Sequence, residues 1–514
     1  MKRYISLIHD RFGPKDGQIK GYPGHPEIEL ALLRFFSVTG HQESYQLAKF
    51  FLEERGNPKG QEDEHYYTWE ADKRGESRWL RPDTFPVPRS YWYAQAHLPI
   101  RDQPTIEGHS VRAMYLLTAA ADLVHLSNTS HAPLEESDRQ SWVKALERLW
   151  DNMVNKKMYV TGGIGAIKRW EGFGIDYFLP QGTDEGGCYS ETCASIGVIM
   201  LAERLLHLDL DGHYADIMEL SLYNNVMTAM SINGKEFTYD NQLASSVENK
   251  SARSDWFECA CCPPNLTRLY GSLGGYLWDY GASNGQAFVN VHLYTSAEMT
   301  FKATEEASVT IRQKSNWPWE GNILFEVSSP PNLPLRLRLR MPAWSQGQFA
   351  LTPTPKTGTW EVEKGYLVLS EAYVSENPVF ALEIKGFAPR YLSPHPYTNQ
   401  RTLTLARGPI VYCVEDVDNE WETNHFKDVV IKTDSPITEE RRTDSQTRET
   451  YVALRSIGWT RSLSTSGSHD DDASPPRDLV FIPYYYRSNR GGNGQMRVGL
   501  VNGGTTLGHV FPER

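Results

Sequence analysis

Trp256-Phe257-Glu258-Cys259-Ala260-Cys261-Cys262-Pro263-Pro264-Asn265 is the stretch from which the rest of the chain can be read. Three of the six cysteines of the 514-residue sequence fall within its four central positions. Cys193, in Ser190-Glu191-Thr192-Cys193-Ala194-Ser195, and Cys188 lie upstream, and only Cys413 stands apart. Adjacent thiols are poorly placed to bridge each other, because a disulfide needs a particular Cβ separation and dihedral angle. Neighbouring thiolates repel unless a cation lies between them, and zinc accepts sulfur and carboxylate oxygen in a tetrahedral set. Glu191, Cys193, Cys261 and Cys262 would make such a set, and Cys259 with Cys262 forms a C-x-x-C half-site. A structural zinc site, a reactive thiolate and plain buried cysteines all remain open from spacing alone.

Local sequence places these thiols at a helix start. Pro263-Pro264 is expected to push Cys262 out of the helical region. Asn265-Leu266-Thr267-Arg268-Leu269-Tyr270-Gly271-Ser272-Leu273 then carries apolar residues at helical spacing. Cysteines just ahead of that helix sit where the backbone dipole favours an anion. Glu191 and Cys193, two positions apart, are expected at the loop-to-helix junction before Ile196-Gly197-Val198-Ile199.

Working outward, the period of the apolar residues changes once. Up to about residue 280 it is helical: His25–Phe36, Tyr45–Leu52, Gly108–Leu126, Leu134–Met153, Ala194–Leu208, Tyr214–Met230 and the segment after Pro264. Helices in pairs on short loops suggest an array of hairpins. About seven helices fall short of the twelve in a closed ring of six hairpins, so either the array is open or the chain begins partway through a domain; a missing N-terminal part is the expectation. Gly56–Gln103 has little periodicity but much Tyr, Trp and Pro, which suggests a long functional loop. Beyond about residue 283 the period is two: Phe288–Tyr294, Leu335–Met341, Tyr366–Leu369 and Val379–Ile384. Short strands with Pro/Gly turns indicate two β-sandwiches, with a boundary near Pro389. The expected domains are 1–282, 283–389 and 390–514.

Composition narrows the function. A net charge of −12 argues against nucleic acid or an anionic membrane as partner. No stretch is long and apolar enough to span a bilayer, and clustered unbridged thiols suit a cytoplasmic setting. Fourteen Trp and 27 Tyr are compatible with sugar stacking, although most aromatics are core. Ser462–Pro476, with three consecutive aspartates, reads as a polar loop. Glu171, in Trp170-Glu171-Gly172-Phe173-Gly174, has apolar neighbours whose burial would raise a carboxyl pKa and suit a general acid. A surface glutamate is the plainer reading. His25 and His109 read as loop or cap histidines, and Tyr239 is ordinary in isolation.

Several runs together resemble glycoside hydrolase family 127, the β-L-arabinofuranosidase type. They are Gly24-His25-Pro26-Glu27-Ile28-Glu29-Leu30-Ala31, Gly108-His109 with Val111, Tyr159-Val160-Thr161-Gly162, Glu191-Thr192-Cys193-Ala194-Ser195 and Cys259-Ala260-Cys261-Cys262-Pro263. The resemblance continues through Ser315-Asn316-Trp317-Pro318-Trp319, Arg407-Gly408-Pro409-Ile410-Val411-Tyr412-Cys413 and Ile482-Pro483-Tyr484-Tyr485, and so covers nearly the whole chain. It implies an (α/α)6 toroid, here N-terminally incomplete, followed by two β-sandwich domains. It also implies zinc held by Glu191, Cys193, Cys261 and Cys262, with Cys261 the nucleophile and Glu171 the acid/base. Glu185 is the alternative acid/base, because the segment from Glu171 to Glu191 is longer than in the family. His25, His109 and Tyr239 match sugar-contacting positions. The implied activity is retaining hydrolysis of a β-linked L-arabinofuranoside or related pentoside in a small oligosaccharide or glycoside, with a homodimer open. The rival expectations are a non-catalytic carbohydrate-binding protein with a structural zinc, or an inactive truncated hydrolase.

Overall fold

The structure, a computed structural model, describes residues 1–76, 91–129, 131–283, 285–356, 358–422, 424–461 and 475–511. The aspartate-rich loop read at Ser462–Pro476 lies, apart from its last two positions, outside the described residues. Two compact units are present: residues 1–159 with 163–209, and residues 160–162 with 210–514.

The first unit is helical. Its helices are α1 (Lys2–Arg11), α2 (Glu27–Thr39), α3 (Gln42–Glu54), α4 (Tyr66–Lys73), α5 (Ser110–Leu126), α6 (Glu136–Lys156) and α7 (Thr192–Leu208). α5 is its central element and packs against α2, α6 and α7. Ala113, Ala119, Ala120 and Ala121 let neighbours approach closely, and Met114, Leu117 and Val124 are fully or almost fully covered. Gly197 of α7 is needed for the same reason: a Cβ there would come within 2.5 Å of the Met114 Cβ. α2 ends at Gly40, whose φ of +67° is the left-handed turn expected after Thr39.

Among the described residues of the aperiodic stretch Gly56–Gln103 is an α-helix that apolar periodicity did not reveal, α4. It is held by rings rather than by an apolar stripe. Tyr22 lies 5.4 Å from Tyr66 and 5.0 Å from Tyr67, and His65 stacks on Tyr91 at 4.6 Å.

The second unit begins with α8 (Gly212–Leu220), which the sequence reading ran on to Met230. The chain instead widens into a π-helical turn, Ser221–Val226, and a short 3-10 turn, Met227–Ala229. Asn224 in that wide turn donates to the Leu220 and Pro409 carbonyls and accepts from the Val411 N–H. Tertiary hydrogen bonds thus replace part of the helix ladder. Residues 231–261 carry no α-helix, contrary to an all-helical reading to 280; Ala244–Ser245 pairs with Met496–Arg497 of the last sheet. α9 (Cys262–Ser272) and α10 (Gly274–Leu277) close the helical part.

The β region has the expected period. Ser308–Ser315 buries Val309, Ile311 and Gln313 on one face, as alternate pointing of side chains requires. Five strands run in the order Trp278–Ser283, Gln286–Val291, Leu335–Arg340, Tyr366–Leu369 and Trp360–Glu363. Another five run Ala297–Lys302, Ser308–Ser315, Asn322–Ser328, Val379–Ile384 and Phe349–Thr352. Tyr280 meets Phe301 at 4.7 Å and Phe349 meets Trp360 at 5.4 Å, so these two sheets form a sandwich. Residues from Arg390 onward form an eleven-stranded sheet with Ala244–Ser245. In it Thr402–Arg407 pairs both with Ile410–Glu415 and with Leu500–Asn502, which closes the inner strands of the sheet into a circuit and leaves its end strands outside.

Candidate active site

In the first unit, functional side chains gather at helix starts. His109 is the N-cap of α5, and its Nδ1 faces the Arg112 N–H at 3.5 Å. Its Nε2 lies 2.9 Å from Glu171 Oε2, across 62 residues of sequence. Glu171 has φ of +53°, left-handed for a non-glycine residue and costly by roughly 1–3 kcal/mol. Its backbone is held there: the Ser110 N–H and Oγ both donate to the Glu171 carbonyl, at 3.0 and 2.9 Å. Gly172 lies so close to the Gly108 carbonyl that a Cβ would come within 2.0 Å of its oxygen. The glutamate is therefore set at the mouth of α5 by backbone pairing. Its apolar neighbours did not seal it: the side chain is 38% exposed. Glu171 is thus partly exposed, as the plainer reading had it, with its carboxyl group against an imidazole.

Glu191 is the N-cap of α7 and is buried, and its Oε2 accepts from the Tyr189 hydroxyl at 3.0 Å. Cys193, buried, is the second residue of α7, and its sulfur lies within 4.8 Å of a Glu191 carboxylate oxygen. Ligand atoms of His109, Glu171 and Glu191 also lie within 4.8 Å of one another. Glu185, the alternative acid/base, sits in a 3-10 turn, Thr183–Glu185, and is not part of that group. His25 precedes α2, with its ring 5.8 Å from the Tyr115 ring. Desolvation first, then the charges of Arg112, His109 and Arg55, lower its pKa to about 4, so His25 is neutral at pH 7.

In the second unit, Cys261 is the N-cap of α9 and Cys262 its first residue. The expectation that Pro263 would keep Cys262 out of the helix is thus corrected. Prolines in a first turn have no N–H to lose, and the Asn265 N–H closes the turn on the Cys261 carbonyl at 3.3 Å. The Cys261 and Cys262 sulfurs are 3.7 Å apart. Cys262 is buried, Cys261 half-buried and Cys259 exposed, and none of the six cysteines is in a disulfide. Tyr239 is half-buried, its ring 5.8 Å from Phe257. Cys413 lies elsewhere, with burial pushing its thiol well up.

Three profiles match the chain: "Beta-L-arabinofuranosidase, GH127 catalytic domain" over residues 1–275, the family's middle domain over 288–381 and its C-terminal domain over 389–500. The chain belongs to glycoside hydrolase family 127. A curated relative, a non-reducing end β-L-arabinofuranosidase from Bifidobacterium longum subsp. longum, is 31% identical over 97% of this chain and 74% of its own length. A GH127 β-L-arabinofuranosidase from Geobacillus stearothermophilus T6 has a solved structure that superposes with a TM-score of 0.81 at 31% identity, covering 97% of this chain and 75% of that one. A second solved structure, described as a GH127 β-arabinofuranosidase, gives 0.76 at 28% identity, covering 97% and 72%.

This family 127 member is a glycoside hydrolase, with a helical N-terminal region followed by β-rich domains. Glu191 with Cys193 in the first unit, and Cys261 with Cys262 in the second, are each a local group of side chains of the types that bind metal ions. Thiols outside any disulfide and a buried carboxylate are donor types that zinc accepts. No helix among the described residues is long and apolar enough to cross a membrane. Motif reading missed Tyr189, Arg112 and Tyr93. Tyr189 bonds Glu191; Arg112 lies 4.8 Å over the Tyr93 ring and bonds the Gly24 carbonyl at 2.9 Å. Only the position of Arg112, three after His109, was there to signal it.

Proposed function

We propose that this protein is a retaining glycosidase that releases β-linked L-arabinofuranose, or a related pentose, from an oligosaccharide or glycoside. The observation that carries this reading is the vicinal thiol pair Cys261 and Cys262, 3.7 Å apart and unbridged at a helix start, in a chain of this family. Glu191, Cys193, Cys261 and Cys262 are the residues that would hold zinc, as the family resemblance implies, and the metal would supply positive charge that keeps thiols ionised at neutral pH. The other steps belong to side chains. Cys262 is buried, so half-buried Cys261 is the thiolate open to a sugar. Its sulfur attacks the anomeric carbon while the bond to the departing oxygen breaks, and Glu171 gives that oxygen its proton. Glu171, now a carboxylate, takes a proton from water; the water oxygen bonds to the anomeric carbon and Cys261 leaves as thiolate. Two displacements retain the β configuration. His109, 2.9 Å from Glu171, orients that carboxyl, and His25, His109 and Tyr239 bind sugar hydroxyls.

This reading divides the chain into a catalytic part, 1–282, and two sandwiches, 283–389 and 390–514. Six cysteines outside any disulfide support a cytoplasmic setting. The test is Cys261→Ser on 4-nitrophenyl β-L-arabinofuranoside, with metal content measured alongside. Loss of at least about 10³-fold in kcat is expected, because the nucleophile and its leaving ability go together. Unchanged turnover would overturn the assignment of the nucleophile. Trapping with methanol is expected to give the β-methyl furanoside.

A further inference from the structure

Arg55 is the C-cap of α3 and is wholly buried, as is its partner Glu29 on α2, 3.0 Å away. A buried ion pair is a poor device for stability unless its remaining hydrogen-bonding capacity is filled. Here it is not: Glu29 Oε2 and Arg55 Nε are both buried without a partner. The guanidinium bonds go elsewhere. Nη2 donates to the Pro23 carbonyl at 2.8 Å, and Nη1 donates to the Ala94 carbonyl at 3.0 Å. Tyr67 supports the first of these, its hydroxyl donating to the same Pro23 oxygen at 3.0 Å.

Both carbonyls belong to segments that carry site residues. Pro23 is two residues before His25. Ala94 closes the turn Trp92–Ala94, which is flanked by left-handed Tyr91 and Gln95 and bears Tyr93, edge-on to His109 at 5.4 Å. One planar fork therefore spans the two segments that place His25 and the ring beside His109. We infer that Arg55 is a positioning residue for the sugar, acting through His25 and Tyr93. The inference rests on the reading above, in which His25 and His109 contact the sugar.

Arg55→Lys tests it, because an ammonium keeps the charge but cannot span both carbonyls in one plane. Misplaced sugar contacts weaken ground-state and transition-state binding alike. The KM for 4-nitrophenyl β-L-arabinofuranoside is expected to rise about tenfold with kcat within about threefold of wild type. A merely structural Arg55 would lower the folded fraction, so that the maximal rate falls while KM stays. Arg55→Lys combined with His25→Ala is expected to raise KM no further than His25→Ala alone, since the two act as one unit. Should Arg55→Lys not fold, Tyr67→Phe carries the test, with KM expected to rise about two- to threefold. Unaltered KM in the folded variant, or KM factors that multiply in the double variant, would overturn the inference. Failure of the underlying reading looks different: wild-type protein that does not cleave the substrate, or Cys261→Ser that does.

Discussion

Two arginines, one in each compact unit, are equally buried and differently used. Arg340, on strand Leu335–Arg340, reaches two carboxylates of α8, Asp216 and Glu219, and the His292 carbonyl. Glu219 is completed by the indole N–H groups of Trp317 and Trp344, at 3.1 and 3.3 Å. Asp216 also receives the Ala343 N–H. Arg55 meets one carboxylate, leaves part of it bare, and turns its other bonds to two loop carbonyls and the Tyr67 hydroxyl. A buried charge whose partners are complete ties a helix to a sheet. One whose partners are incomplete, and whose bonds end on loops, is better understood as holding those loops in place.

The largest expected effect separates the pair by stability. Arg340→Met leaves two carboxylates without their cation, and breaking a buried pair from one side costs about 3–5 kcal/mol. A denaturant titration is expected to show that loss, with KM of the remaining folded enzyme unchanged; a changed KM would erase the contrast with Arg55. The next is Arg55→Met with Glu29→Leu. Replacing both members of a buried pair by apolar groups is often neutral to stabilising, so unfolding is expected within about 2 kcal/mol of wild type. KM is expected to be raised about tenfold, because no single side chain then ties the Pro23 carbonyl to the Ala94 carbonyl. A double variant with normal KM would reduce Arg55 to the role of Arg340.

The smallest effect is a pH dependence on the Arg55 side. His25 titrates near 4 in the folded protein and near 6.5 when unfolded. Between those values the unfolded chain binds a proton that the native one does not, so stability falls as pH drops from about 6.5 to about 4. His25→Asn is expected to flatten that part of the profile of unfolding midpoint against pH, and Arg340→Met to leave its slope as it is. An unchanged slope in His25→Asn would show that its ring titrates normally.

Much of the candidate site was legible in the sequence because its residues sit where local rules apply. His109 and Glu191 are N-caps, Cys261 and Cys262 open a helix, and each stands within a few positions of the periodic segment it starts. The change from a helical period to a period of two marked where α gives way to β, since side-chain direction repeats locally in both. α4 escaped because aromatic contacts with Tyr22 hold it, not an apolar stripe of its own. The π-helical turn at Ser221–Val226 escaped because Asn224 is bonded to residues near 410.

What the sequence by itself determined is therefore the order of elements, the donor types and the helix ends that carry them. Only tertiary structure decided which backbone accepts Arg55, that Glu171 meets His109 across 62 residues, and that Ala244–Ser245 joins the last sheet. The physical reason is one of range. Periodicity and capping depend on neighbours within a turn, whereas these contacts exist only after chain segments far apart in sequence have closed on one another.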